Sequence, residues 1–399
     1  MDVLLTHDLH AVCNGRGKFL TNGNTWYETW KKYLAHFDHV HVLARVRRME
    51  VDEEKYKPLD GEGVSIIGLE EFGVGPLSWL RIPGNAVVAR RAMEMPCAAI
   101  LRAGLIANFA YALKTTGRPF ALEVAGDPAD AFSEDSFRHP LRPVIRAAAV
   151  RMLNAQCQQA IAVSYVTERA LQASYPASPG AYATHCSSID LDESCFAAEP
   201  KACAAAGGAG VKIICVANFY QAYKGQDDLL EAVRICRERG LDIRLALIGG
   251  GKLLERTRAR AATMGLGEVV EFPGVLPPGK AVRERLDRAD LFVLASRTEG
   301  LPRSMIEAMA RGLPCIGTEV GGIPELLPER WRVPPGRPEA LAGKIEEALE
   351  SKELRREMGV ANLAKSREYS TELLGRRRME FFAEVSRRTV DWLKGRGRA

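Results

Sequence analysis

The sequence has no apolar run near the roughly 20 residues that a membrane-crossing helix needs, so a chain held by its own transmembrane helix is not expected. It has no CxxC pair either. Its nine cysteines (13, 97, 157, 186, 195, 203, 215, 236 and 315) are scattered, several of them inside apolar runs such as Val211–Ala217. That excludes a sequence-local zinc knuckle or a disulfide frame and reads as buried thiols in a reducing compartment. The start, MDVLLTHDLH, has no basic segment and only three apolar residues in a row, so no signal peptide is expected in it. Charge of one sign is also scarce. A net charge of +5 is far from a nucleic-acid tail, and Arg376-Arg377-Arg378 is the clearest like-charge block. No nucleic-acid partner is expected, whereas an acidic substrate or an anionic membrane surface fits the mild excess. No repeat of solenoid length occurs. The expected location is cytoplasmic.

A chain of 399 residues is too long for one compact core and predicts two domains. The second half is the more regular. Short apolar runs at Val211–Ala217, Ile243–Ile248, Val269–Phe272, Leu291–Ala295 and Pro314–Gly317 alternate with helical patterns, and Gly240, Gly265 and Gly312 stand where three of those patterns stop. This predicts an α/β fold, a doubly wound parallel sheet with helices on both faces, which binds ligands at the carboxyl ends of its strands. The first half fits the same class. Strands are expected at Val3–Thr6, His39–Ala44, Val64–Gly68, Ala98–Arg102, Phe120–Val124 and Ala160–Ser164, and helices at Thr25–Ala35, Ala86–Met95, Leu105–Thr115 and Leu141–Cys157. The alanine- and glycine-rich stretch Phe196–Gly210 reads as the linker, dividing the chain into 1–205 and 206–375 with a tail at 376–399.

Three glycine signals invite a phosphate. Gly274–Ala281 nearly matches a nucleotide loop, but Ala281 replaces the hydroxyl that would hold magnesium, and Pro277 and Pro278 lack amide hydrogens. Gly249-Gly250-Gly251 follows a strand and opens a helix, but Leu254 breaks the dinucleotide fingerprint. It reads as an anion-facing turn or as a plain tight turn. Lys224, in a loop after the strand ending at Ala217, is a point charge for a diphosphate or a solvated lysine. Glu299 and Glu307 flank Gly300-Leu301-Pro302-Arg303-Ser304, and are either surface acids of a helix start or ligand-holding groups.

Taken in order, the KG loop, the triple glycine and Glu299-Gly-Leu-Pro-Arg-Ser-Met-Ile-Glu307, followed by Gly312-Leu313-Pro314 and Gly321-Gly322-Ile323-Pro324-Glu325, resemble the donor half of the GT-B glycosyltransferases, in particular the retaining family-four group. The tight likeness runs from about Val211 to Leu327. The resemblance implies two Rossmann-like domains facing a cleft, acceptor-binding first and donor-binding second, with the tail helix packing back on the first. It implies transfer of a sugar from a nucleoside-diphosphate sugar to an acceptor hydroxyl with retention, in assembly of bacterial surface polysaccharide, lipopolysaccharide or glycolipid. The acceptor would be lipid-linked or a saccharide. Glu299 would contact the donor sugar and Glu307 the ribose hydroxyls. The amides from Gly300 to Ser304, with Leu301 and Pro302 between them, would face sugar and diphosphate, and Lys224 would neutralise the diphosphate. No metal or other cofactor is expected. The alternatives kept open are a degenerate binding subunit of the same fold, or a nucleotide-sugar epimerase or phosphorylase.

The sequence departs from that family twice. The arginine expected five residues before Lys224 is Phe219, with Arg303 as one candidate substitute. The first half lacks the expected histidine, and the matching stretch is Ala121–Pro128. There Asp127 is a site carboxylate or a turn former, with Glu123 as an alternative. At the start, Asn22-Gly23-Asn24-Thr25 takes the place of a glycine pair. Gly23 would lie near the donor phosphates, and Asn24 or Thr25 would cap a helix. Arg102 ends a strand and is a further cleft candidate, whereas Trp26 and Trp30 read as core. In the tail, Phe381, Phe382, Val385 and Trp392 read as packing residues. The rival is peripheral contact of Arg387, Arg388, Lys394, Arg396 and Arg398 with the inner face of the membrane.

Overall fold

The computed structural model describes residues 1–23, 25–71, 81–115, 117–134, 136–137, 139–201 and 210–395. The first half runs β1 (Val3–Cys13), β2 (Phe19–Thr21), α1 (Tyr27–Leu34), β3 (Val40–Arg48), β4 (Lys57–Pro58), β5 (Val64–Glu70), α2 (Ile82–Glu94), β6 (Ala98–Arg102), α3 (Leu105–Leu113), β7 (Ala121–Val124), α4 (Pro128–Ala131), α5 (Arg142–Gln159), β8 (Ala162–Tyr165), α6 (Ala170–Ser174) and β9 (Tyr182–His185). The second half runs β10 (Val211–Val216), α7 (Gln226–Glu238), β11 (Ile243–Ile248), α8 (Leu254–Thr263), β12 (Val270–Gly274), α9 (Lys280–Arg288), β13 (Leu291–Leu294), α10 (Arg303–Ala310), β14 (Cys315–Thr318), α11 (Ile323–Leu326), β15 (Arg332–Val333), α12 (Pro338–Glu350), α13 (Lys352–Ser366) and α14 (Thr371–Gly395).

Each half builds its own sheet. The parallel strands of the first lie in the order β5-β3-β1-β6-β7-β8-β9, with β2 and β4 added antiparallel beside the far end of β1. The second is β12-β11-β10-β13-β14-β15, parallel throughout the described residues. Both place their first strand in the middle and then reverse direction of winding. The switch points are β1/β6 and β10/β13, where open α/β sheets hold ligands. The strand sequences explain the burial. Leu291-Phe-Val-Leu294 is apolar at every position and fully buried, as a strand covered by helices on both faces must be. In α7, Leu229, Leu230, Val233 and Cys236 share the buried face, while Asp227 and Asp228 favour the positive first turn.

Helix α14 ties the halves together. Leu374 packs in the core of the second sheet, and two turns later Phe381, Phe382 and Val385 enter the core of the first beside Tyr33 and Phe37. A second tie is the buried Glu325 of α11. Its carboxylate accepts the N–H groups of Glu168 (2.6 Å), Arg169 (2.9 Å) and Ala170 (2.6 Å), so a side chain of the second half caps α6 of the first. On the tail, Arg387 and Arg388 pair with Glu384, whose carboxyl they hold down at about 2. No helix of the described residues is long and apolar enough to cross a membrane.

Sequence and structure agree on β6 and differ at several ends. β1 runs on to Cys13 because β2 pairs with its last residues, a pairing that three-residue β2 does not announce. α1 begins at Tyr27 with Trp26 at the N-cap, where Thr29 Oγ1 accepts the Trp26 N–H at 3.2 Å, so Thr25 is not the cap. Trp30 is core as expected, its indole donating to the Leu59 carbonyl. Asn24, residues 202–209 of the expected linker (Cys203 included), Arg396 and Arg398 lie outside the described residues. The other eight cysteines are free, six of them buried.

Because Phe382 is fully buried at the point where the tail meets the first sheet, Phe382→Ala should cost about 3–5 kcal/mol of stability. Urea unfolding followed by circular dichroism measures it. A cost near zero would mean that the tail does not hold this position in solution.

Candidate active site

The two switch points face one cleft, and the second carries the more tightly built side. Gly225, at φ 68°, ends the loop after β10. A side chain there would overlap the Ala295 carbonyl oxygen, so only glycine lets this loop lie against the end of β13. The contact brings Lys224 to Glu299. The Lys224 Nζ donates to Oε1 at 2.7 Å and Oε2 at 2.9 Å, and the Ser296 hydroxyl donates to Oε1 at 2.6 Å. The Glu299 side chain is only 6% exposed. The Arg297 N–H donates to the Tyr223 carbonyl at 2.7 Å, locking the two loops together. From the other side Gly321, at φ 51°, lies so close to the Glu299 carbonyl that a Cβ would overlap it, and the Gly322 N–H donates to Gly300 O at 2.6 Å. The Gly-Gly-Ile-Pro-Glu segment thus fixes the Glu299–Gly300 backbone.

Helix α10 begins one residue later than a first-turn proline would require. Pro302 is its N-cap in an extended conformation, and its carbonyl accepts the N–H groups of Met305 and Ile306. The N–H groups of Arg303 and Ser304 precede the helix's own hydrogen-bond ladder and stand at its positive end. Leu301 is buried beneath them. Glu307 lies further along the same helix. Burial pushes its carboxyl above the usual range, while Arg303 and Arg283 pull it down. No side chain among the described residues hydrogen-bonds it.

The remaining sequence candidates fare differently. The Gly249 N–H is taken by the Gly274 carbonyl at 2.9 Å and the Gly250 carbonyl by the Phe219 N–H at 2.9 Å, so this turn packs on the strand-end loop after β10. Phe219 itself is buried core, which is why no cation occupies that position. Asp127 is the N-cap of α4, accepting the Ala129 N–H at 2.7 Å and the Tyr175 hydroxyl on the same oxygen. It lines a cavity of about 300 Å³ together with Asp130, Tyr223, Thr298, Glu299 and Gly300. Burial raises the Asp130 carboxyl, and Thr298 opposes it by a hydrogen bond. Gly300 meets the Ala125 carbonyl, and here the two halves touch. Gly23 is exposed, donates to Thr21 Oγ1, and is not among the described residues lining the cleft. Glu123 is on an interior strand, accepting Tyr33 OH at 3.0 Å and lying 3.6 Å from Arg102.

The main cleft, about 810 Å³, joins Glu299, Gly300, Leu301 and Arg303 to His7, Lys32, Arg102 and Arg378. His7, Lys32 and Arg378 escaped sequence reasoning. His7 follows the apolar Val3–Leu5 run at the first switch point, a place the strand pattern could have flagged. Burial, reinforced by Arg102 and Lys32, lowers its imidazole to about 3, and its Nδ1 has no partner. Among the described residues no group of three or more His, Cys, Asp or Glu could hold a metal ion.

Two Rossmann-like domains whose switch points face one cleft, closed by a returning helix, define the GT-B glycosyltransferase fold. Residues 208–363 match the family described as Glycosyl transferases group 1. The chain is 35% identical over 151 residues to a candidate colanic acid biosynthesis glycosyltransferase of Salmonella typhimurium, covering 36% of this chain and 37% of that one. It is 35% identical over 141 residues to the amylovoran biosynthesis glycosyltransferase AmsK of Erwinia amylovora, covering 33% and 34%. The matches thus span about a third of these relatives. The protein CapJ of Staphylococcus aureus is 22% identical across 91% of this chain and 90% of its own. Among solved structures, HepE of Anabaena in complex with UDP and glucose superposes with a TM-score of 0.64 over 96% of this chain and 99% of its own, at 16% identity.

A raised folded-state carboxyl at Glu307 has a defined signature. The folded protein holds that proton more tightly than the unfolded chain. Stability is therefore lost as pH rises from the ordinary carboxylate range through the raised value. Glu307→Gln does not carry this loss, so its melting temperature should gain on the parent's between about pH 4 and pH 7. A difference that stays flat across that window would contradict a buried carboxyl.

Proposed function

We propose that the protein is a retaining glycosyltransferase that moves a sugar from a nucleoside-diphosphate donor to an acceptor hydroxyl in bacterial surface-polysaccharide assembly. One observation carries the reading. At the switch point of the second sheet, a buried acid held by Lys224 and Ser296 and a second, unpartnered acid flank the free end of α10. In this reading Glu307 accepts hydrogen bonds from the ribose hydroxyls, and the first-turn amides of α10 receive the diphosphate. Glu299 meets the donor sugar. Lys224, whose ammonium has three donors, keeps Glu299 oriented and offers its remaining hydrogen to the phosphate. Arg303, beside those amides, adds charge that Phe219 does not supply. Asp127, with one oxygen committed at the α4 cap, holds the loop of the first domain against Gly300.

The chemistry is same-face displacement. The bond between the anomeric carbon and the diphosphate oxygen breaks, the acceptor oxygen bonds to that carbon on the same face, and the acceptor proton passes to the departing phosphate. Negative charge grows on the diphosphate as the bond lengthens, so preset amides and Lys224 bind it best in the transition state. No metal is assigned to this step. The polysaccharide setting draws on relatives named for colanic acid, amylovoran and capsule assembly.

Thermal shift against UDP, GDP, ADP and their sugars tests the donor class, because selective binding raises the melting temperature by mass action. Glu307→Ala should weaken nucleotide binding about tenfold, the loss of a charged hydrogen-bond acceptor. Glu299→Ala should bind nucleotide nearly as well as the parent and turn over far more slowly. Parent-like binding and turnover in both variants would remove these assignments. An inverted product anomer by NMR would remove the retaining mechanism.

A further inference from the structure

The first-domain wall of the cleft gathers three cations around a single carboxylate. Lys32 comes from α1, Arg102 from the end of β6 and Arg378 from α14, and all three line one recess together with Glu123, Ser187 and Ser188. Glu123 is the one carboxylate of that recess. It lies 3.6 Å from Arg102 and is shared with the Tyr33 hydroxyl. The other acids of the wider cleft are engaged elsewhere. Glu28 pairs with Lys31 at 2.8 Å, Glu299 pairs with Lys224, and Asp190 accepts the Thr371 hydroxyl. Lys32 has no carboxylate or carbonyl partner among the described residues, and its ammonium sits 5.2 Å over the Tyr33 ring. Among the described residues the Arg378 guanidinium hydrogen-bonds the Cys186 sulfur, at 3.5 Å, and no carboxylate. Arg303 faces the same cleft from the second domain.

Three like charges gathered in a partly buried recess repel one another, and a buried ammonium without a partner is costly. Burial lowers Lys32 to about 8; Glu123 opposes the shift, and Arg378 and Arg102 add to it. A strained charge cluster in a cleft marks a binding position more often than a packing device.

We propose that this recess binds an anionic group of the acceptor, a phosphate or a carboxylate, and so selects acidic acceptors. This rests on the glycosyltransferase reading above. The recess opens into the same cleft as Glu299 and Gly300, so an acceptor anchored there by its charge keeps a hydroxyl free to approach the donor sugar. The donor diphosphate is met from the opposite wall by α10 and Lys224. Ser187 and Ser188 supply hydroxyl donors to the same anion.

The test uses the full chain saturated with whichever of UDP or GDP it binds. N-acetylglucosamine 1-phosphate, glucuronate and neutral N-acetylglucosamine are then titrated by calorimetry and thermal shift. A charged probe should bind on top of the nucleotide and the neutral sugar should not. Binding by the sugar phosphate alone assigns a phosphate, and binding by glucuronate alone assigns a carboxylate. Lys32→Met and Arg378→Gln should each weaken that binding about tenfold, the loss of one charge-assisted contact. Nucleotide affinity should stay as in the parent. Displacement of the charged probes by nucleotide would hand the cations to the donor diphosphate and overturn the proposal. So would equal binding of the neutral sugar, or unchanged binding in both variants. If nucleotide binds and no charged probe does, this inference falls alone. If no nucleotide binds, the glycosyltransferase reading falls and takes it along.

Discussion

A carboxylate held almost wholly out of water by its neighbours governs how this site is put together. Glu299 is stripped of water at the end of the central strands, so the protein must replace that water with a cation and a hydroxyl, Lys224 and Ser296. Such a pair is a poor way to stabilise a fold, because desolvating both charges offsets much of their attraction. Its effect is positional. Three chain segments, the loop after β10, the loop after β13 and the turn before α11, must converge within hydrogen-bonding distance of one backbone stretch. Gly225 and Gly321 make that convergence sterically possible.

Topology does the rest of the positioning. Each sheet reverses its winding beside its first strand, leaving a crevice at the carboxyl ends. In the second sheet the crevice is lined by Glu299, with Lys224 bonded to it, and in the first by His7 and Arg102. The halves meet at Gly300 and Ala125, across the cap that Glu325 places on α6, and along α14. These joints are polar or slender except for the aromatic anchor at Phe381 and Phe382.

The electrostatics of the two walls differ in kind. On the second-domain side the charges nearest the central strands are paired, Lys224 with Glu299 and Arg297 with Asp228. On the first-domain wall Lys32, Arg102 and Arg378 share one carboxylate, Glu123, among the described residues of their recess, and His7 is held neutral by its surroundings. An overall charge of +5 conceals this asymmetry, because the exposed tail arginines largely neutralise themselves against Glu384 and Asp391.

Much of the donor side was written in the residues. Apolar runs punctuated by glycine specify β10 to β14. The spacing of Glu299 and Glu307 around Pro302 places one acid before a helix and one inside it, whatever the rest of the chain does. These are local facts, set by hydrogen-bonding periodicity and by the torsions that proline and glycine allow. The first-domain wall was not legible in this way. Lys32, Arg102 and Arg378 are 70 and 276 residues apart along the chain, and no spacing rule connects them. Asp127 could be read as a site acid or as a turn former, and only the Tyr175 and Ala129 contacts show that one oxygen is already committed. Nor could sequence tell that the Gly249 amide is spent on Gly274. The sequence alone determined the central strands of the second sheet and the two acids about a helix start, because those depend on neighbours in the chain. Tertiary structure alone decided which charges are paired, which are left bare and which face each other. Desolvation and Coulomb contact depend on distance in space, which the order of residues does not contain.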